Sequence, residues 1–550
     1  MDEPVLRADE ATRWDHTADV VVVGTGVAGC STAVNSIDLG MSVVMVEKAP
    51  TPGGTSAKAA GGMMVPANHF LREQGIEDPR EDFLRFLARV GRPLLYDPSD
   101  EHLGLPEWEL RMIEAYYDNA GPALQRMAEL GAMRVAHQPE WPSYNELPED
   151  RCRFGRVVFN VDDDGEIAVG RQAIERFVAW LAGHGATLLT GRRVSGVFVG
   201  DDGRVVGVRA GAESLRALRA VVFATGGFTH SERYAREYLN GMYVGGCAAH
   251  TSEGDLIPIA KALGVPLLHM HSAWGSPVVL EHALADDPTM IANFSLAGDS
   301  VFSVNRYGHR VCNEKATYND RTQSHFVWDP VRVEYPNFLQ FAFLDERARV
   351  RYARGDGPMD HQAGNFIPPL GEESPYVLRA DTLPELVQRL RERLASLEHR
   401  TGSVQLADDF LPTLQATIER FNAFARNGVD EDFHRGETAI ERFMHGPAAD
   451  DNDLPNPTLH PLADEGPYYA TILAPGSIET KGGPKVNPSL QMLDGREQPV
   501  PGLYGVGNCV ASASGQAYWS GGSTWGPYIA FGRVAARSIA SERVAVPAGG

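Results

Sequence analysis

"ADVVVVGTGVAGCSTAVNSIDLGMSVVMVEKA", residues 18–49, opens on an apolar run that ends in glycine. Such a run, bounded by a turn residue, reads as a parallel strand buried on both faces. "VAGCSTAVNSIDLG" has the spacing of a helix stopped by glycine, and "MSVVMVEK" is a second apolar strand. Strand, helix and strand within about thirty residues make a βαβ unit. Its first turn carries Gly24, Gly26 and Gly29 as GxGxxG. The first glycine permits the tight turn, the second lets a pyrophosphate approach the backbone, and the third lets helix and strand pack closely. The helix start then faces the phosphates. Glu47 ends the next strand, where a carboxylate can accept both hydroxyls of a ribose.

FAD and NAD share this fingerprint, so the decision lies further out. "KAPTPGGTSAKAAGG" follows Glu47, and Gly53, Gly54, Thr55 and Ser56 suit a chain passing beside a pyrophosphate and a flavin edge. "VVFATGGF" gives a second strand-to-glycine turn at Ala224, Thr225, Gly226 and Gly227, and "PGLYGVGNCVAS" a third at Gly507 and Asn508. Turns this far apart suit a long dinucleotide touched by several segments. GxGxxG occurs once, so no separate nicotinamide domain is evident.

The bulk numbers narrow the class. At 550 residues the chain is expected to form two or more domains. A formal charge of −22 argues against nucleic acid or anionic membrane as main partners. The five cysteines form no CxxC, which disfavours disulfide frameworks, zinc knuckles and covalent haem, and fits a reducing cytoplasm. No secretory leader is visible, and no apolar run approaches the roughly 18 residues of a membrane span.

Helical spacing dominates from Phe70 to Gly131, and "RQAIERFVAWLAGHG" is another helix. "ATLLTGRRVSGVFVGDDGRVVGVRAG" reads as strands joined by a DDG turn. Between about residues 267 and 455 aromatics, prolines and charges increase, with amphipathic helices in "LPELVQRLRERLASLEH" and "LPTLQATIERFNAFARNG". "VFSVNRYGHRVCNEKATYND" reads as a hairpin followed by a polar loop. The expected fold class is α/β: a discontinuous Rossmann-like dinucleotide-binding domain, residues 1–266 and 456–550, with an inserted α+β domain, residues 267–455.

These segments carry a resemblance to the flavoproteins of the fumarate reductase and 3-ketosteroid dehydrogenase superfamily. The matching stretches are "VVVGTGVAG", "VEKAPTPGGTSAKAAGG", "VVFATGGF", "TSEGD" at residues 251–255, "NRYGHRVCNE", "TKGGPKVN" and "GLYGVGNCVASASGQAYWSGG". The resemblance implies that the discontinuous domain is FAD-binding and the inserted one substrate-binding, with FAD held non-covalently because the family's covalent-flavin histidine is not apparent in residues 53–63. The residues expected to hold FAD are Gly24, Gly26, Val27, Ala28, Gly29, Glu47 and Lys48 at the first unit of the fold. Gly53, Gly54, Thr55, Ser56, Gly61 and Gly62 follow, then Val194, Ala224, Thr225, Gly226 and Asp255, and finally Gly507, Asn508, Ser523 and Thr524.

The superfamily runs opposite chemistries. Its fumarate reductases need cationic clamps: a histidine before "TMGG" and an arginine in the C-terminal glycine loop. Here Glu479 precedes "TKGG", and residues 515–531 contain no arginine. A dicarboxylate would meet a carboxylate and indoles, which is electrostatically unfavourable. The ketosteroid dehydrogenases instead carry a tyrosine followed by glycines, as Tyr518, Gly521 and Gly522 do in "GQAYWSGGSTWGP". A phenol and a bare backbone N–H can be aimed at a ketone oxygen, which makes the α-proton acidic. The resemblance thus implies an oxidoreductase acting on CH–CH groups that desaturates the α,β bond beside a ring ketone. The ketone is expected to be a small apolar one, a 3-ketosteroid, at the 4,5 or 1,2 position. Tyr518 and the Gly522 amide would polarise the carbonyl, Tyr318 with Ser520 would take the α-proton, and a quinone-like acceptor would reoxidise the flavin. A phenol titrates near pH 10, so such a base needs a neighbouring donor. "Tyr-x-Ser" at Tyr518–Ser520 is similar to the 4,5-desaturating branch. Tyr144 in "EWPSYNE" is a further candidate phenol, and Trp519 and Trp525 are candidate walls for an apolar ring.

Three alternatives accompany this reading. A fumarate-type or enone reductase would use Arg306, Arg310 or Arg321 as its clamp. A flavin-bound carrier would bind FAD without substrate chemistry. His269 and His271 alternate as a metal pair would, but no third ligand is in view and no metal is expected.

Overall fold

Val20, Val21, Val22 and Val23 are all but sealed from solvent, none more than 4% exposed, as a strand covered on both faces must be. They belong to strand His16–Val23, which pairs in parallel with Val43–Val46 on one side and with Glu213–Phe223 on the other. The computed structural model describes residues 3–9, 11–285, 294–355, 365–402 and 404–542. Among them the chain forms two units: one gathers the chain up to Asn240, Ala248–Ala273 and the chain from Glu479 onward, and the other Gly241–Cys247 with Trp274–Ile478.

The first unit is built on a nine-stranded sheet. Its parallel centre runs Pro499–Gly505, Glu213–Phe223, His16–Val23, Val43–Val46 and Thr187–Leu189. Val194–Val199 and Val205–Ala210 add the antiparallel pair expected around the DDG turn, where Gly203 takes φ +79°. Helix Val27–Asp38 crosses between the first two central strands, and helix Trp525–Ala540 packs on it. That contact is close: the Ser31 hydroxyl donates to the Ile529 carbonyl at 2.9 Å. A Cβ at Gly532 would fall 2.5 Å from the same hydroxyl.

The second unit has a five-stranded sheet in the order Ala273–Val279, Tyr468–Thr480, Gln340–Asp345, Phe302–Val304, with Leu378–Ala380 also on Tyr468–Thr480. Helices Leu383–Ser396 and Phe410–Asn427 lie where the amphipathic spacing predicts them, and Leu390, Leu394, Leu414 and Phe421 pack with Phe302 and Phe341. Gly428 ends the second helix at φ +76°.

The boundaries differ from 267 and 455 for reasons of pairing. Leu267–Leu268 pairs with Gly483–Pro484 and stays in the first unit. The second unit continues to Ile478 because Tyr468–Thr480 is the antiparallel partner of Gln340–Asp345. Where a polar loop is expected after the hairpin, a short helix, Tyr318–Gln323, opens at Tyr318. No helix among the described residues is long and apolar enough to cross a membrane.

Candidate functional site

At the ends of the parallel strands the first unit has a partly open cavity, where open α/β sheets bind their ligands. The βαβ turn gives it Gly24, Gly26, Val27 and Ala28, and the following segment Glu47, Lys48 and residues 53–56. Val194, Ala224, Thr225, Gly226, Asp255, Gly507 and Asn508 close the remaining walls. The expected strand-to-glycine turns therefore meet around one space.

Gly24 and Gly29 are explained by close backbone approach. Gly24 has φ +102°, and a Cβ there would stand 2.3 Å from the Ala224 carbonyl oxygen. A Cβ at Gly29 would stand 2.1 Å from the Gly24 carbonyl, so this residue sets helix against strand rather than lining the cavity. Gly54, at φ +48°, has nothing within 4 Å of an added Cβ.

Glu47 is 6% exposed and held on one side. The Thr25 amide and hydroxyl donate to its Oε2 at 3.2 and 2.6 Å, and the Ala49 amide to Oε1 at 2.9 Å. A carboxylate offers about four acceptor positions, so one remains for a ligand hydroxyl. Lys48 is engaged: its Nζ donates to Glu253 and Asp255 at 2.8 and 3.0 Å, and Arg193 bonds Asp255 as well. The Ser56 hydroxyl accepts from the Val27 amide at the helix start, 3.0 Å away. Glycine turns, a helix start and an oriented carboxylate on one elongated cavity fit a dinucleotide such as FAD.

Ser523 is used within its own turn: its hydroxyl accepts from the Ser520 amide at 2.8 Å and donates to the Ser520 carbonyl at 2.7 Å. Thr524 caps helix Trp525–Ala540. Gly61 and Gly62 also lie off the cavity walls: a Cβ at Gly61 would meet the Ala168 carbonyl at 2.7 Å, and one at Gly62 the Phe159 ring at 2.8 Å. Gly522, at φ +80°, stands against Gly62 and Met63, whose backbone lies 2.4 Å from where its Cβ would be.

The glycine loop also brings phenols together. The Tyr518 ring stacks on Tyr144, centroids 5.9 Å apart and planes 21° from parallel. Two bonds hold the segments side by side. The Tyr144 amide donates to the Trp519 carbonyl at 3.0 Å, and the Ser520 hydroxyl donates to the Pro142 carbonyl at 3.2 Å. Ser520 is 1% exposed, and this bond anchors its hydroxyl to the main chain of the Tyr144 segment. Trp519 and Trp525 are 4% and 3% exposed in the first unit's core, with Trp519 stacked on Tyr116.

In the second unit Tyr318 is 6% exposed, its ring 4.8 Å from that of Phe294. The three arginines considered as clamps are engaged there. Arg306 pairs with Glu334 at 2.9 Å. Arg310 bonds Glu314 and Asp430, each at 2.8 Å; burial alone would lower its guanidinium, and the two carboxylates outweigh that and hold it raised. Arg321 donates to the Ala316 and Phe294 carbonyls, and burial pulls its guanidinium down to about 10. His269 pairs with Glu109 at 3.1 Å, beside Arg92.

Sequence reasoning did not single out Arg192, Ser252 or Tyr528, which also line the cavity. Ser252 lies inside the matched "TSEGD" stretch and was within reach; Tyr528, whose hydroxyl donates to Asn508, had no local signal.

The chain matches the model of the FAD binding domain family over residues 19–524. It is 32% identical over 566 residues to the 4-oxocyclohexanecarboxylate 2-dehydrogenase of Sinomonas cyclohexanicum, covering 96% of this chain and 93% of that protein. It is 30% identical over 591 residues to the 3-oxosteroid 1-dehydrogenase of Mycolicibacterium smegmatis, covering 96% and 98%. Among solved structures, the 3-ketosteroid Δ1-dehydrogenase from Sterolibacterium denitrificans superposes with a TM-score of 0.79 at 22% identity, covering 96% of this chain and 100% of that one.

Proposed function

We propose that this chain, which belongs to the FAD binding domain family and is a FAD-dependent oxidoreductase, desaturates the α,β carbon–carbon bond beside a ring ketone. In the first unit's cavity Glu47 would hold the ribose of FAD, and the start of helix Val27–Asp38 its pyrophosphate. Bound FAD supplies the acceptor for a hydride from the β-carbon. The Tyr518 phenol and the Gly522 amide donate to the ketone oxygen and stabilise the negative charge that grows there. Tyr318 takes the α-proton, a role that rests on its motif alone. Loss of that proton and the β-hydride leaves the new double bond, and the two electrons would pass through FAD to an external acceptor such as a quinone.

The observation that carries this reading is the stacking of Tyr518, on the glycine loop, against Tyr144. A phenol held by a second ring and by two segment-to-segment hydrogen bonds is a preorganised donor. The proposed substrate is a 3-ketosteroid. A smaller cyclohexanone bearing a carboxylate is the second reading, favoured by the relative whose name gives 4-oxocyclohexanecarboxylate. The fumarate direction is disfavoured by the internal pairing of Arg306 and Arg310 and by Glu479 in place of a cation.

The test is product analysis with an artificial electron acceptor. A 5α-3-ketosteroid, a 3-keto-4-ene steroid and 4-oxocyclohexanecarboxylate are offered separately. Loss of two hydrogens from the ring beside the ketone is expected with one of them. Loss from none, together with turnover of fumarate by the reduced protein, would overturn the proposal.

A further inference from the structure

Glu479 is fully buried and its carboxylate faces hydroxyls rather than a cation. Ser252 donates to Oε2 at 2.7 Å and Thr55 at 3.3 Å, while Thr229 donates to Oε1 at 2.7 Å and the Thr480 amide at 3.1 Å. These four donors match a group that only accepts, so the charge is held by dipoles. A buried carboxylate without this set would be costly.

Two of the hydroxyls, those of Thr55 and Ser252, line the cavity. Thr55 also accepts from the Ala249 amide at 3.0 Å, which fixes its rotamer. Gly226 is a third wall residue close by, its added Cβ 3.6 Å from Glu479 Oε2. The charge thus stands one hydroxyl behind the wall. Glycine is required at Gly227, where a Cβ would come 2.6 Å from Oε1. The backbone has closed on this carboxylate.

We propose that Glu479 sets the reduction potential of the bound flavin, acting across the hydroxyls of Thr55 and Ser252. The proposal rests on the reading that this cavity holds FAD, and it puts the flavin end of the cofactor against these two residues. Reduction adds two electrons to the flavin, and any electron not matched by a proton adds negative charge. A fixed anion one residue away opposes that charge, and the low dielectric strengthens the effect. The carboxylate therefore holds the potential down. Glu479 is a positioning and electrostatic residue, with no contact to a reacting atom required.

The experiment measures flavin content and then midpoint potential by anaerobic dye-coupled titration. Parent protein, Glu479→Gln and Glu479→Asp are compared. Glu479→Gln is expected to hold FAD at a more positive potential, with Glu479→Asp close to the parent. An unchanged potential in a flavin-loaded Glu479→Gln would overturn the proposal and leave the cavity reading intact. Parent protein without FAD would overturn both. If Glu479→Gln fails to load FAD, Thr229→Val decides. Thr229 does not line the cavity, and its loss leaves the carboxylate with one donor fewer. A lower potential is then expected, and an unchanged one overturns the inference.

Discussion

Tyr144 and Tyr518 lie stacked with ring centroids 5.9 Å apart, and the Tyr144 amide bonds the carbonyl of the residue after Tyr518. The pair sets the phenol of Tyr144 behind that of Tyr518, which stands on a loop otherwise rich in glycine. Removing the Tyr518 hydroxyl leaves the stack, because phenylalanine keeps the ring. We therefore expect Tyr518→Phe to fold and hold FAD, and to lose about 10²–10³-fold in the rate of flavin reduction by the ring ketone. Stopped-flow absorbance at the flavin band measures it. Tyr144→Phe should lose less, and the double variant should lose less than the product of the two.

Glu47 carries the second expectation. Glu47→Gln keeps the shape but removes the charge that accepts from Thr25 and Ala49 and faces the cavity. Hydrogen bonds to charged groups contribute about 1.5–3 kcal/mol, so FAD should bind at least about tenfold more weakly. Fluorescence titration of the apoprotein reads this directly.

Arg310 carries the third. It joins Glu314 and Asp430, all three buried, and Arg435 also bonds Glu314. Arg310→Met leaves two carboxylates without their main partner and should cost about 3–5 kcal/mol in urea unfolding. For Glu314 and Asp430 burial raises the carboxyls, and Arg310 more than offsets this, so both lie below their ordinary values. The sign follows: this stability is present above the unfolded values near pH 4 and is lost as pH falls through the lower folded ones. Urea midpoints should therefore drop below about pH 4 in the parent.

Thiol chemistry gives a fourth. Burial pushes Cys30 and Cys152 up to about 12 and Cys509 to about 11. The thiolate is the reactive form, so these three should resist alkylation at pH 8 until the protein is unfolded. Mass mapping of labelled cysteines in native and denatured protein distinguishes the cases.

Much of the cavity was legible in the sequence because it is made by local signals. GxGxxG follows an apolar run, and Glu47 stands at the end of the next, so spacing alone fixes their meeting. Gly226 and Gly507 were legible by the same strand-to-turn pattern. What was not legible depends on pairing between distant segments. The second unit runs to Ile478 because Tyr468–Thr480 pairs with Gln340–Asp345, and no local pattern announces that partner. The acceptor of the Ser520 hydroxyl, the Pro142 carbonyl, lies 378 positions away, and no local pattern announces it. Glu479 was noticed for the cation it replaces. Its partners Thr55 and Ser252, 424 and 227 positions away, give it a function the sequence does not display. Trp519 and Trp525 stand in a glycine-rich stretch and yet belong to the core beneath it, which the composition of the stretch does not display.

The central claim is removal of hydrogen from carbons beside a ring ketone, and anaerobic bleaching of the flavin band tests it most directly. The oxidised holoprotein is mixed with a 5α-3-ketosteroid, a 3-keto-4-ene steroid, 4-oxocyclohexanecarboxylate and succinate in separate cuvettes. Bleaching by a ring ketone and none by succinate is the expected result, with the responding ketone naming the bond. Bleaching by succinate alone, or reoxidation of the chemically reduced protein by fumarate but not by an enone, would contradict it.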